Sequence, residues 1–164
     1  MFQRSRKGYI ERQIEMLAEV LARILTGKES GRYEAALAEA ADACKQMTGL
    51  TLATLAMLPD ETLLNLFRMG GGPDPGRCLI AARLLDAQAQ VYEAQSRAQA
   101  AGVSRHKALA LLLEAGAHDE RLRAEAYRRE VEELVSRLEG YALPDDLRAR
   151  LAAYRGLPPQ DSMP

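Results

Sequence analysis

The chain has 164 residues, 48% hydrophobic and 27% charged, which fits one compact domain with a core of its own. A formal net charge of -1 supplies no overall field to select nucleic acid, a membrane surface or a polyanion. With no Trp and 5% aromatics, few residues are available for a base- or sugar-stacking platform. The two cysteines, Cys44 and Cys78, lie far apart in apolar helical contexts. They read as small buried hydrophobes in a reducing compartment rather than as a disulfide. The start, MFQRSRKGYI, is basic and runs into charged residues with no apolar stretch behind it, so no signal peptide is expected. No segment approaches the length of an uncharged membrane span, and the cytoplasm is the expected compartment.

In chain order, strand signals are sparse while Ala, Leu, Glu, Arg and Gln dominate. Ile10, Ile14, Leu17, Leu21 and Ile24 fall at alternating steps of four and three, an apolar stripe on a long first helix. The segment TGKESG, with Gly27 and Gly31, ends it. A second helix carries Tyr33, Leu37, Ala40, Cys44 and Met47, and Gly49 closes it as a left-handed cap. Leu52 and Leu55 mark a short helix, and Pro59-Asp60 restarts another through Leu63, Leu64 and Phe67.

Gly70 to Gly76 hold four Gly and two Pro in seven residues, the strongest break in the chain and a candidate flexible joint. A long helix is expected from about residue 77 to residue 101, with Leu85, Ala89 and Tyr92 inward, turning at Gly102 into a helix from Val103. That helix carries Leu109, Leu112 and Leu113. Asp119 or Glu120 opens the next, with Tyr127, Val131, Leu134, Leu138 and Tyr141 on one face. Gly140 and Pro144 end it, and Asp145 or Asp146 caps a last helix with Leu147, Leu151 and Tyr154. The expectation is an all-α domain of about seven helices over residues 1–156, with a loose tail at 157–164.

Two segments share a layout: a long helix, a glycine, then an Ala-containing second helix. One contains Gly31, Tyr33-Glu34-Ala35-Ala36-Leu37 and Ala43; the other contains Tyr92, Gly102, Lys107-Ala108-Leu109 and Ala115. The layout resembles the tetratricopeptide hairpin, whose second helix keeps small residues where the first crosses it. The strict period of that repeat and its Trp are missing. A closer resemblance rests on Met1, Phe2, Arg4, Tyr9, Ile10, Arg12, Gln13, Ile14, Glu15, Leu17 and Ala18, followed by a G-x-Y-E-x-A-L hairpin, LPDETLLNLF and LPDDLRARLAAY. These are similar to a family of small uncharacterised bacterial proteins. The chain departs from that pattern in the inserted Ser5, Arg6 and Lys7 and in Gly8. The resemblance implies a tetratricopeptide-like fold and carries over no catalytic residue.

No segment carries a complete catalytic or metal motif. GGGPDPGR lacks the Lys-Ser/Thr and preceding strand of a phosphate-binding loop and reads as a joint. His106 and His118 are the two histidines; Glu114 shares a helix face with His118, but the ligand count for a metal is short. Glu130, Glu132, Glu133 and Glu139 alternate with Arg128, Arg129 and Arg137 as a solvated, salt-bridged face. Arg4, Arg6, Lys7 and Arg12 read as a loose basic start.

The expected function is therefore a non-catalytic protein-interaction or scaffolding module without cofactor or metal. Gln88, Gln95, Gln99 and Arg105 are the candidate partner-binding residues, on an exposed face or groove. The alternative is a structural homodimer that associates through Tyr9, Ile10 and Ile14, its groove being the dimer interface. A small-ligand-binding protein with an internal polar pocket is a third reading.

Overall fold

The computed structural model describes residues 2–68 and 74–159, with side chains described from Arg12 onward. The described residues are helical and contain no strand, in the order expected for an all-α chain. Helix α1, Phe2–Glu29, buries Leu17, Val20 and Ile24. It packs antiparallel on α2, Tyr33–Thr48, whose contact face is Ala36, Ala40, Ala43 and Cys44. The backbones come close there: a Cβ built on Gly27 would lie 3.2 Å from the Ala36 Cβ. Small residues let the pair gain dispersion contacts without bulky side chains. Gly49, at φ 80°, is the expected left-handed cap, and its N–H donates to the Lys45 carbonyl.

Helix α3, Leu52–Met57, is capped by Thr51, whose hydroxyl accepts from the Thr54 N–H at 3.1 Å. Helix α4, Asp60–Leu66, follows, and α5, Pro75–Ala94, opens with Pro75 in its first turn and an Asp74 carboxylate accepting from the Arg77 N–H. Of the expected joint at 70–76, residues 70–73 lie outside the described residues, while Asp74 to Gly76 belong to the cap and first turn of α5. In the tail, Leu157–Pro159 are non-helical and 160–164 lie outside the described residues.

The second hairpin turns earlier than the sequence suggests. Helix α5 stops at Ala94 and α6, Ala98–His118, begins before Gly102, which sits inside it. The reversal is at Ser96, held at φ 60°. Its geometry is a Schellman motif: Arg97 N–H donates to Tyr92 O at 2.8 Å and Ser96 N–H to Glu93 O at 2.9 Å. The contact that normally accompanies this motif is supplied by the Arg97 guanidinium, 4.4 Å from the centroid of the Tyr92 ring. The first hairpin uses the same device, with Arg32 N–H to Gly27 O at 2.8 Å, Gly31 N–H to Lys28 O at 3.1 Å, and Gly31 at φ 73°. Gly31 and Ser96, not Gly31 and Gly102, are the equivalent positions.

Helix α6 is the centre of the fold. It packs on α5 along its length and also touches α3, α4, α7 (Glu125–Arg137), α8 (Asp145–Gly156) and a 3₁₀ turn at Glu120–Arg123. Residues 108 to 116 are all buried, as expected of a helix enclosed on every side. Asp119 caps the 3₁₀ turn rather than α7, which starts at Glu125 after a fresh break at Ala124. Pro144 holds the cap position of α8, with Asp145 and Asp146 in its first turn.

Two glycines of α6 admit aromatic rings from the C-terminal segment. A Cβ on Gly102 would lie 2.8 Å from the Tyr141 ring, and one on Gly116 would overlap Tyr154. Tyr154 is 3% exposed, its hydroxyl donating to Leu122 O at 2.9 Å. This close approach is why Gly102 is a glycine. Cys44 and Cys78 are free and fully buried.

Candidate functional site

Polar chemistry is concentrated on α6, in three centres that tie it to its neighbours. In the α5–α6 hairpin, the Ser104 hydroxyl donates to Gln88 Oε1 at 2.9 Å with both side chains buried. One residue on, the Arg105 guanidinium donates to Asp86 Oδ1 at 3.4 Å and pairs with Glu93. Asp86 also receives Arg137 of α7 at 3.3 Å and Gln90 at 3.3 Å. Burial lowers the Arg105 pKa, while Asp86 opposes that shift; a guanidinium remains charged either way.

The second centre joins α4 to α6. His106 Nε2 lies 2.9 Å from Asp60 Oδ2, and Lys107 Nζ donates to Asp60 Oδ1 at 2.6 Å. Burial raises the Asp60 pKa, but the hydrogen bonds and charges of His106 and Lys107 outweigh it and hold the carboxyl at about 2. The edge of the His106 ring meets Tyr141, with centroids 6.5 Å apart.

The third centre is Glu114, a carboxylate 2% exposed on the enclosed helix. Arg68, just past α4, donates through Nε to Oε1 at 2.6 Å, and Arg150 of α8 through Nη1 to Oε2 at 3.2 Å. His118 Nε2 stands 3.4 Å from Oε1. Nearby, burial and then the Glu114 charge push the Cys78 thiol up to about 12, so it stays protonated and unreactive.

These positions correct the expected partner-binding set. Gln88 of α5 and Arg105 of α6 are 8% and 3% exposed, because their polar ends are spent inside the hairpin on Ser104 and on Asp86 and Glu93. Gln95 is half-buried in the turn, donating to Glu34 at 3.5 Å and accepting from Arg97 at 3.4 Å. Gln99 is exposed near the start of α6. The four do not form one surface. Of the expected self-association stripe, the Tyr9 and Ile10 side chains lie outside the described residues, and Ile14 is 42% exposed.

The expected solvated charge face is paired. Glu130 meets Arg83 at 3.0 Å, Glu132 meets Arg155 at 2.8 Å, and Arg129 meets Glu125 at 2.8 Å. Sequence reasoning missed Asp60, Lys107, Arg68 and Arg150, and treated Glu114 only as a neighbour of His118. A usable signal was present: a single acid inside ALALLLEAGA, residues 108–117, needs a cationic partner once that helix is buried.

The fold and its polar centres define an all-α protein of packed helical hairpins, its interior ion pairs serving to join helices. Among the described residues no group of three or more His, Cys, Asp or Glu is placed to hold a metal, and no helix is long and apolar enough to cross a membrane. No protein-family model, curated protein or solved structure matches the chain.

Proposed function

We propose that the chain is a non-catalytic protein-interaction module of tetratricopeptide-like hairpins, working in the cytoplasm, with the first half of α1 as its docking element. The observation that carries this reading is the state of α1 ahead of Leu17. Ile14 and Met16 are 42% and 48% exposed, although the sequence continues the stripe of Leu17 and Ile24 toward Ile10. Helix α1 has 28 residues against the 16 of α2, a span of about 42 Å against about 24 Å at the helical rise. A helical extension of that kind is marginal in water unless an apolar face is covered, so a helix of a partner protein is the natural occupant.

The hairpins support the repeat-like reading: both turn through the same motif, and α1 and α2 each pack on α5. The non-catalytic reading draws on how the interior ionisable groups are spent. Asp60, Asp86 and Glu114 are each held by cations, and the buried Cys78 thiol is held protonated. The resemblance to small bacterial proteins noted above accords with this reading.

A structural homodimer is the second reading. It is favoured by the exposure of Ile14, which continues the Leu17 and Ile24 stripe and which a second α1 can cover isologously. Light scattering across a dilution series, combined with hydrogen exchange at residues 12–16, separates these readings. A persistent dimer with protected amides, dissociated by Ile14→Glu, supports the homodimer. A monomer whose amides in this segment exchange freely, until a helical partner binds, supports the module. A monomer already protected there, and unchanged by Ile14→Glu, sinks both.

A further inference from the structure

We infer that Arg68, Arg150 and His118 form a binding site for a small phosphate-type oxyanion, with Glu114 as the buried post that positions them. This goes beyond the interaction module proposed above and uses none of its residues. The three side chains arrive from three places: the second residue past the end of α4, the middle of α8 and the last residue of α6. All meet one carboxylate, which contributes a single negative charge against two permanent guanidinium charges. One positive charge is left over, with the His118 imidazole beside it.

The exposure pattern points outward. Glu114 is 2% exposed, whereas the Arg68, Arg150 and His118 side chains are 38%, 33% and 47% exposed. Arg150 spends Nη1 on Glu114, and among the described residues its Nε and Nη2 have no acceptor. Arg68 turns both Nε and Nη2 to Glu114 Oε1 and reaches Asn65 Oδ1 through Nη1 at a long 3.4 Å, so it adds charge beside the free edge of Arg150. A carboxylate held behind two arginines fixes their planes and removes much of the entropy they would otherwise lose on binding. The Nε–Nη2 edge of Arg150 suits two oxygens of a tetrahedral oxyanion, with the Arg68 charge beside it.

The chemistry fits free phosphate and the phosphate group of a small monoester alike. The test follows the Nε–Hε resonances of Arg68 and Arg150 at constant ionic strength. The titrants are inorganic phosphate, glycerol phosphate and, as control, chloride. Saturable shifts of both resonances with phosphate, absent with chloride, are expected; tighter saturation by glycerol phosphate identifies a monoester site, and equal or weaker saturation identifies a free-phosphate site. Arg150→Gln should weaken binding roughly tenfold while Arg68 still neutralises Glu114, and Arg148→Gln on the same helix should leave it unchanged. Shifts that stay linear to about 50 mM phosphate in the unsubstituted protein overturn the site whatever the variants do. So does equal affinity in Arg150→Gln, or an equal loss in Arg148→Gln.

Discussion

Replacing Gly116 by Ala tests the packing of α8 on α6 directly. In a helix interior this change is ordinarily favourable by about 1 kcal/mol, because Ala is the better helix former. Here the new methyl would overlap Tyr154 Cε2 and lie 2.9 Å from Cδ2. The ring has little room to withdraw: Tyr154 is 3% exposed, its hydroxyl is bonded to Leu122 O, and the Arg128 guanidinium stands 5.2 Å from the ring centroid. Overpacking of this kind costs about 1–3 kcal/mol, and losing the tyrosine hydrogen bond adds about 1 kcal/mol. Set against the propensity gain, a net loss of about 2 kcal/mol is expected, or about 4–8 °C in Tm for a chain of this size. Thermal and urea unfolding of the variant measure it. In a Tyr154→Ala background the same Gly116→Ala change should become neutral or stabilising, since the obstacle is gone. An unchanged or raised Tm for Gly116→Ala in the otherwise unsubstituted protein would refute the ring-on-glycine contact. Gly102→Ala should cost less, because the half-buried Tyr141 ring is freer to move.

Ser96→Gly removes a side chain from a left-handed position and should stabilise the protein by about 1 kcal/mol, read as a raised denaturation midpoint; no gain would mean the turn is not a Schellman turn. Glu114→Ala leaves Arg68 and Arg150 without their shared carboxylate at a site where the carboxylate itself is buried. A loss of about 3 kcal/mol is expected in urea unfolding, with less than about 1 kcal/mol marking the pairs as superficial. For Asp60, the folded pKa of about 2 lies below the ordinary 3.8. Its contribution is therefore present in full above pH 4 and is lost as pH falls toward 2. The stability difference between the unsubstituted protein and Asp60→Asn should shrink across that window, and a difference constant with pH would show that Asp60 is not held by His106 and Lys107.

Much of the first hairpin was legible because its signals have one meaning. Leu17 and Ile24 keep helical spacing, Ala36 and Ala40 are small at the crossing, and the glycines at 31 and 49 occupy left-handed positions. The second hairpin failed on two ambiguities. A glycine serves either a reversal or a close packing contact, and Gly102 is the second kind. A serine gives no notice that it will be left-handed, and Ser96 is. The polar centres were hidden for another reason. An amphipathic helix reveals which side chains point inward, but α6 is enclosed all round and has no such period. Arg105 of α6 therefore looked like a surface residue, as did Gln88 of the similarly buried α5, and the partners that make them interior are Asp86, Glu93 and Ser104, at separations the periodicity does not encode.

The enclosure of α6 also governs how the molecule comes apart. In an open stack of hairpins each unit answers only to its neighbours, so the ends can unzip while the middle holds. Here α3, α4, α5, α7 and α8 all rest on one rod, and withdrawing any of them uncovers the same apolar surface. Those elements are therefore expected to unfold together, with calorimetric and van't Hoff enthalpies in agreement for that part of the transition. For the same reason a further hairpin would find no free face on α6, and any continuation of the array is left to the α1 side.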